Sequence, residues 1–214
     1  MRRRKPMITL YHFERSGNSR EVRLTLHEKN LEFKEVIVDV MKGDTKKPEF
    51  LALNPFGKVP LLVDELQGNQ KVVLYEASII NYYLDEKYPK PPLMPLSPIK
   101  RAEVRKWVYW GTQKMEKHMA PVLLEMLLKS EEKWDKEMIS KNKLSLEEAL
   151  KVLNERLKDQ EYLCDDYSLA DICLTPHLAA LGRIKFNPNP DLSHFHEWFK
   201  KLKKRPNFKA SISH

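Results

Sequence analysis

Apolar and polar positions alternate from Met7 onward. Ile8, Leu10 and Phe13 set against Thr9 and His12 predict a short strand over 7–13. A polar stretch follows, Glu14 to Ser19, and Asn18 or Ser19 can cap a helix running to Lys29. Val22, Thr25 and Leu26 give that helix an inner face at i, i+3, i+4 spacing, and Asn30 is a stop signal. Phe33 to Val40 reads as a second strand, so the chain opens β-α-β, a parallel pair joined by a crossover helix. Two more apolar runs, 60–66 and 71–75, flank Gln67-Gly68-Asn69-Gln70 and predict a hairpin. A helix then begins near Glu76, with Ile79, Ile80, Tyr83 and Leu84 on it.

The pattern changes after Tyr88. Prolines at 89, 91, 92, 95 and 98 rule out helix and central strand and mark a linker. Beyond it the spacing is helical throughout. Val104, Trp107, Val108, Tyr109, Trp110, Met115 and Leu123 define a long element that Pro121 should bend or interrupt. Ser145-Leu146-Glu147-Glu148 has the capping-box pattern, with Leu146, Ala149, Leu150, Leu153 and Leu157 following on one face. Ser168-Leu169-Ala170-Asp171 repeats it with Asp, and Tyr167 and Ile172 stand at staple positions. Phe195, Trp198, Phe199 and Leu202 line a closing helix stopped by Pro206. The expected organisation is a basic disordered tail over 1–6, an α/β domain over 7–86, a linker over 87–99 and an all-α domain over 100–214.

Composition narrows the class. With 42% hydrophobic and 32% charged residues, the 214-residue chain can bury a core and keep a polar surface. It has no apolar run near the roughly 18–20 residues that span a bilayer. Arg2 to Lys5 imitate the basic start of a signal peptide, but the apolar stretch that should follow is missing, which predicts a cytoplasmic protein without a membrane partner. The net charge of +8 comes with no nucleic-acid motif. Cys164 and Cys173 form no CxxC, and no metal-ligand cluster is expected; His194 and His196, two apart on a helix, point in different directions.

Three segments carry a resemblance. Leu10 to Arg23, with Ser16-Gly17-Asn18-Ser19-Arg20, resembles the strand–turn–helix of the serine-type (zeta/theta-like) cytosolic glutathione S-transferases. Asn54-Pro55-Phe56-Gly57-Lys58-Val59-Pro60 followed by Leu74 to Ile80 is similar to that family's second motif. Tyr167 to Ile172 is similar to its capping-box motif. Together they span essentially residues 7–210 and imply a thioredoxin-like domain followed by a helical domain.

The resemblance also implies chemistry. Glutathione, an anionic thiol tripeptide, would serve as co-substrate, with no metal. Pro60 would be cis, so that Val59 offers its backbone to the cysteinyl residue, whereas a trans Pro60 would merely start a strand. Lys58 stands where the family often keeps Gln. Glu76 and Ser78 would hold the γ-glutamyl end, and Ala77 replaces the usual Ser, removing one hydroxyl contact. Ser16 is placed to stabilise the thiolate, and Tyr11, five residues earlier, is the alternative. Lys46 and Lys47 could reach the glycyl carboxylate. Tyr109, Gln113 and Met119 would flank a hydrophobic electrophile, with core packing an equal explanation for the nearby tryptophans. The absence of cysteine over 1–163 argues against cysteine-dependent members. A homodimer is implied. Leu74 to Pro95 also resembles stringent starvation protein A, which has this fold and binds RNA polymerase without conjugating glutathione. That reading is the alternative.

Overall fold

The computed structural model describes residues 7–212, so the basic tail expected over 1–6 lies outside the described residues. The chain divides into two units, one running to Pro92 and taking in the segment from Lys209, the other Leu93–Phe208.

The first unit is built on a four-stranded sheet in the order β2-β1-β3-β4. Its strands are β1 (Met7–His12), β2 (Phe33–Ile37), β3 (Leu61–Glu65) and β4 (Lys71–Tyr75). β1 and β2 are parallel, joined by helix α1 (Gly17–Glu28), as the β-α-β pattern requires. β3 runs antiparallel to both β1 and β4. Alternation along the strands sends side chains to opposite faces. Ile8, Leu10 and Leu62 meet Val22 and Leu26 of α1 and Ala77, Ile80 and Leu84 of α3 (Ala77–Lys87) on one face. Leu61 packs with Val38 and Phe50, the latter from the short helix α2 (Pro48–Leu51), and Tyr11, Leu53 and Val59 lie against that cluster. Lys29, fully buried, pairs with Asp85 at 2.7 Å and donates to the Pro91 carbonyl, tying the end of α1 to α3 and to the linker.

The second unit is helical, and among the described residues no strand follows Tyr75. It contains α4 (Pro98–Gly111), α5 (Lys117–Leu128), α6 (Lys136–Arg156), α7 (Leu169–Ala179) and α8 (Ser193–Lys203). The interruption expected near Pro121 is a π-helical turn, Thr112–Glu116, just before Lys117, whose carbonyl a proline at 121 cannot satisfy. The Ser168 cap forms as expected: its Oγ accepts from the Ala170 N–H, and Asp171 accepts from the Ser168 N–H at 3.1 Å. Tyr167, expected as a staple residue, lies under the Arg205 guanidinium at 3.4 Å. On α8, Phe195, Trp198 and Leu202 are buried and Phe199 stacks on Phe195. Among the described residues no helix is long and apolar enough to cross a membrane.

Three sequence expectations need correction. Ser145 caps nothing: α6 begins nine residues earlier, because Ile139 extends the buried face and Asp135 caps the start by accepting from the Met138 N–H. Ser145 instead donates back to the Lys141 carbonyl, which keeps a hydroxyl satisfied inside a helix. Helix α1 starts earlier than expected, with Ser16 as its cap instead of Asn18 or Ser19. β2 ends at Ile37, three residues short of the expected Val40.

Candidate active site

Strand register fixes where the candidate residues gather. Tyr11 of β1 lies opposite Leu61 of β3, and Leu61 lies opposite Tyr75 of β4. The chain leaves β1 into the turn that holds Ser16, enters β3 through Pro60 and leaves β4 at Glu76. All three segments therefore emerge at one edge of the sheet, on strands about 4.8 Å apart. Because β4 runs parallel to β1, α1 and α3 both start at this edge and run back along the same face. Their N-termini bring two sets of unpaired N–H groups and two positive dipole ends to one place, which suits an anion.

Ser16 caps α1 in extended conformation (φ −79°, ψ 122°). Its Oγ accepts from the Ser19 N–H at 3.2 Å, its N–H donates to Phe13 and its carbonyl accepts from Arg20. The hydroxyl proton has no acceptor among the described residues. A capping serine thus spends one of its two lone pairs on the helix and keeps its proton for a donor's role. Arg20 is held by the Glu14 carbonyl at 2.7 Å, and Arg15 is exposed. Tyr11 sits within the Leu61 cluster with its ring edge-on to Phe50 at 6.4 Å, so packing accounts for it.

The Val59–Pro60 bond is cis, as is Lys90–Pro91. Buried Asn54 organises the approach to it. Asn54 accepts from the Phe56 N–H, its carbonyl accepts from Gly57, and its side-chain amide donates to the Lys58 carbonyl at 2.8 Å. Among the described residues the Val59 main chain has no hydrogen-bond partner, so it is open to an extended peptide. Gly57 has φ +59°, and a Cβ there would stand 2.9 Å from the Thr45 carbonyl and 3.1 Å from Lys46 Nζ. Gly57→Ala should destabilise the protein by about 1–3 kcal/mol, because backbone strain adds to overpacking against a main-chain atom; thermal unfolding reads it. Lys46 Nζ thus lies beside this loop, whereas Lys47 is paired with Asp44 at 2.7 Å and Lys58 is exposed.

Glu76 has φ +70° and ψ 115°, a conformation that costs a non-glycine residue about 1–3 kcal/mol and clusters at functional sites. Its side chain caps nothing, so the first N–H groups of α3 stay available and the carboxylate is exposed. Ala77 is 8% exposed and belongs to the core under the sheet. Ser78, the neighbouring hydroxyl, is partly exposed.

The helical unit treats its three candidates differently. Tyr109 on α4 is 67% exposed, and Gln113 lies partly exposed in the π-helical turn. Met119 is 1% exposed, a core side chain alongside buried Met115 and Val122, and does not line an open surface of this unit. Cys164 and Cys173 are buried thiols; the Cys173 thiol donates to the Ala170 carbonyl at 3.1 Å, and burial pushes the Cys164 thiol up to about 11, which makes it a poor nucleophile. His196 bonds the Asn189 carbonyl.

Sequence reasoning overlooked Asn54 as an organiser, the left-handed backbone of Glu76 and the Glu21–Asn81 bond described below. Only the first had a local signal, an Asn two residues before Phe56 in a turn.

Residues 10–92 match the family described as Glutathione S-transferase, N-terminal domain, and residues 115–206 match Glutathione S-transferase, C-terminal domain. The chain is 34% identical to glutathione S-transferase Z2 of Arabidopsis thaliana, over 91% of this chain and 87% of that protein. It is 32% identical to FtsZ-localized protein A of Caulobacter vibrioides, over 96% and 90%. The theta class glutathione S-transferase of Xanthomonas axonopodis pv. citri, solved with glutathione bound, superposes with a TM-score of 0.87 at 26% identity, covering 98% of this chain and 99% of that one.

Proposed function

Because the chain belongs to the glutathione S-transferase family, a family of transferases, we propose that it binds glutathione at the sheet edge and activates its thiol through Ser16. The activated thiolate attacks, or isomerises, a small hydrophobic electrophile. The observation that carries this reading is the state of Ser16 Oγ: one of its two lone pairs accepts from the Ser19 N–H, which orients the hydroxyl, and its proton has no acceptor among the described residues, at a helix N-terminus.

A free thiol near pKa 8.5 is mostly protonated at neutral pH, and only the thiolate is a good nucleophile. A hydrogen bond from Ser16 and the positive end of α1 both stabilise the anion and so lower that pKa. The S–H proton leaves to solvent, and the sulfur lone pair forms the new bond to an electrophilic carbon as a leaving group departs with its bonding pair or, in addition to a double bond, as the π pair moves to the far atom and takes up a proton from solvent. Val59 pairs with the cysteinyl backbone. Glu76, Ser78 and the first N–H groups of α3 take the γ-glutamyl end: the carboxylate of Glu76 meets the ammonium and the helix N–H groups meet the α-carboxylate. Ala77 contributes only its N–H to that set. Lys46 is the nearer candidate for the glycyl carboxylate, because Lys47 is already paired with Asp44. Of the helical unit's candidates for the electrophile, Tyr109 is exposed and Gln113 partly exposed. We place the protein in the cytoplasm as an isologous homodimer, a state that light scattering reads directly.

Calorimetric titration of the purified protein with glutathione tests the reading. Saturable one-site binding is expected. Glu76→Ala should weaken it about tenfold or more, the loss of a charge-assisted hydrogen bond worth about 1.5–3 kcal/mol. A wild-type protein that does not bind glutathione overturns the proposal.

A further inference from the structure

We propose that the buried hydrogen bond between Glu21 and Asn81 is a positioning device for thiol activation, an inference that rests on the glutathione reading above. The Asn81 Nδ2 donates to Glu21 Oε1 at 2.7 Å. Both side chains are buried, at 2% and 5% exposure, beneath an apolar sheet face. The bond joins α1 to α3 at matching depths. Glu21 lies five residues past the cap Ser16, and Asn81 five past Glu76. At 1.5 Å per residue, each stands about 7.5 Å below the helix N-terminus that it shares with a candidate site residue.

The choice of groups argues for registration over stability. Val22, Leu26, Ile80 and Leu84 already supply the apolar packing of these helices against the sheet. A buried carboxylate and a carboxamide add desolvation cost, and Asn81 Oδ1 has no partner among the described residues. Apolar side chains of the same volume would hold the helices together at least as firmly, but would let them slide. A directional bond of this length fixes the offset of one helix along the other. That offset sets how far the hydroxyl of Ser16 lies from the γ-glutamyl cradle at Glu76, and hence whether the sulfur of a peptide anchored at one end meets the donor at the other. A misplacement of about 1 Å is worth about a hundredfold in rate.

Neither side chain touches the reacting atoms, so each is a positioning residue. The test compares wild type, Asn81→Asp, Asn81→Ala and the double swap Glu21→Gln/Asn81→Asp. The swap exchanges the charged and amide ends and rebuilds the bond in reverse, whereas Asn81→Asp alone sets two carboxylates against each other. Three readings are taken on each: kcat and KM with a chromogenic electrophile, the pKa of bound glutathione by ultraviolet thiolate absorbance, and the midpoint of thermal unfolding.

Asn81→Asp and Asn81→Ala should each raise the bound thiol's pKa by about one unit and lower kcat about tenfold, since one unit is about a tenfold change in thiolate fraction. KM should change less than kcat. The swap should return both thiol pKa and kcat to near wild type. If Asn81→Asp does not fold, Asn81→Ala and the swap decide the matter by the same readings. Variants that lose thermal stability but keep the wild-type thiol pKa and kcat overturn the inference and leave the glutathione reading standing. A swap that stays as impaired as Asn81→Ala also overturns it. A wild type that neither binds glutathione nor turns over overturns both.

Discussion

Asp171→Ala should destabilise the protein by about 3–5 kcal/mol, the range for breaking a buried hydrogen-bonded charge network. Asp171 is wholly buried and accepts from the Leu163 N–H at 3.1 Å, the Ser168 N–H at 3.1 Å, the Ser168 hydroxyl and the Trp198 Nε1–H at 3.0 Å. One side chain thus joins the loop before α7, the cap of α7 and the inner face of α8. Burial pushes its carboxyl up to about 6 while these four donors pull it back down. Truncation leaves the donors buried without an acceptor, each at about 1–3 kcal/mol, and relaxation recovers part of that. Against a total stability of about 5–15 kcal/mol, a loss of this size removes much of the margin. The unfolding midpoint should fall by about 6–20 °C, as chains of this length lose about 2–4 °C per kcal/mol. Asp171→Asn keeps one oxygen acceptor and should be intermediate. Calorimetry of the two variants checks the ranking, and an Asp171→Ala protein as stable as wild type would refute the network's importance.

Ser16→Ala should lower turnover roughly ten- to a hundredfold, since a hydrogen bond to a charged group is worth about 1.5–3 kcal/mol. Glutathione affinity should barely change, because Ser16 meets only the sulfur while Val59 and Glu76 hold the peptide. The substitution also removes a cap from α1, which costs about 1 kcal/mol of stability. That loss is separable: it moves the unfolding midpoint, whereas the missing donor moves kcat and the pKa of the bound thiol. Ser16→Thr keeps both functions and should recover much of the rate. Tyr11→Phe should be mild, as the Tyr11 ring packs against Phe50 and the Leu61 cluster. Steady-state kinetics with a chromogenic electrophile decides between them. A silent Ser16→Ala together with a crippled Tyr11→Phe would reverse the assignment.

Much of the fold is local in origin and therefore legible in the chain. Alternation at Ile8, Leu10 and the two runs around Gly68 gives the strands, because a strand side chain has only two directions to point. The prolines from 89 to 98 mark the linker because they forbid the alternatives. Ser168 and Asp171 announce the start of α7 because a capping box needs only residues three apart. The same logic misled at Ser145, where an identical pattern sits inside a helix. Its competitor, Asp135, wins because Ile139 continues the buried stripe, and a stripe is defined by what it packs against.

For the candidate site, the residue types were readable and their roles were not. The chain by itself placed Ser16 in a turn, Pro60 before a strand and Glu76 at a helix start. Strand register, a product of long-range pairing, brought those three turns to one edge. The Ser16 cap is a local bond from the Ser19 N–H three residues on, whereas tertiary packing drew Ala77 into the core, held Glu76 at positive φ and joined Glu21 to Asn81. It also buried Met119, which sequence spacing alone could not distinguish from a surface residue. Local propensity acts over a turn or two of chain, so it names the elements and their ends. The alignment of two helix N-termini depends on contacts between residues some sixty positions apart, such as Glu21 and Asn81, and only the folded structure carries those.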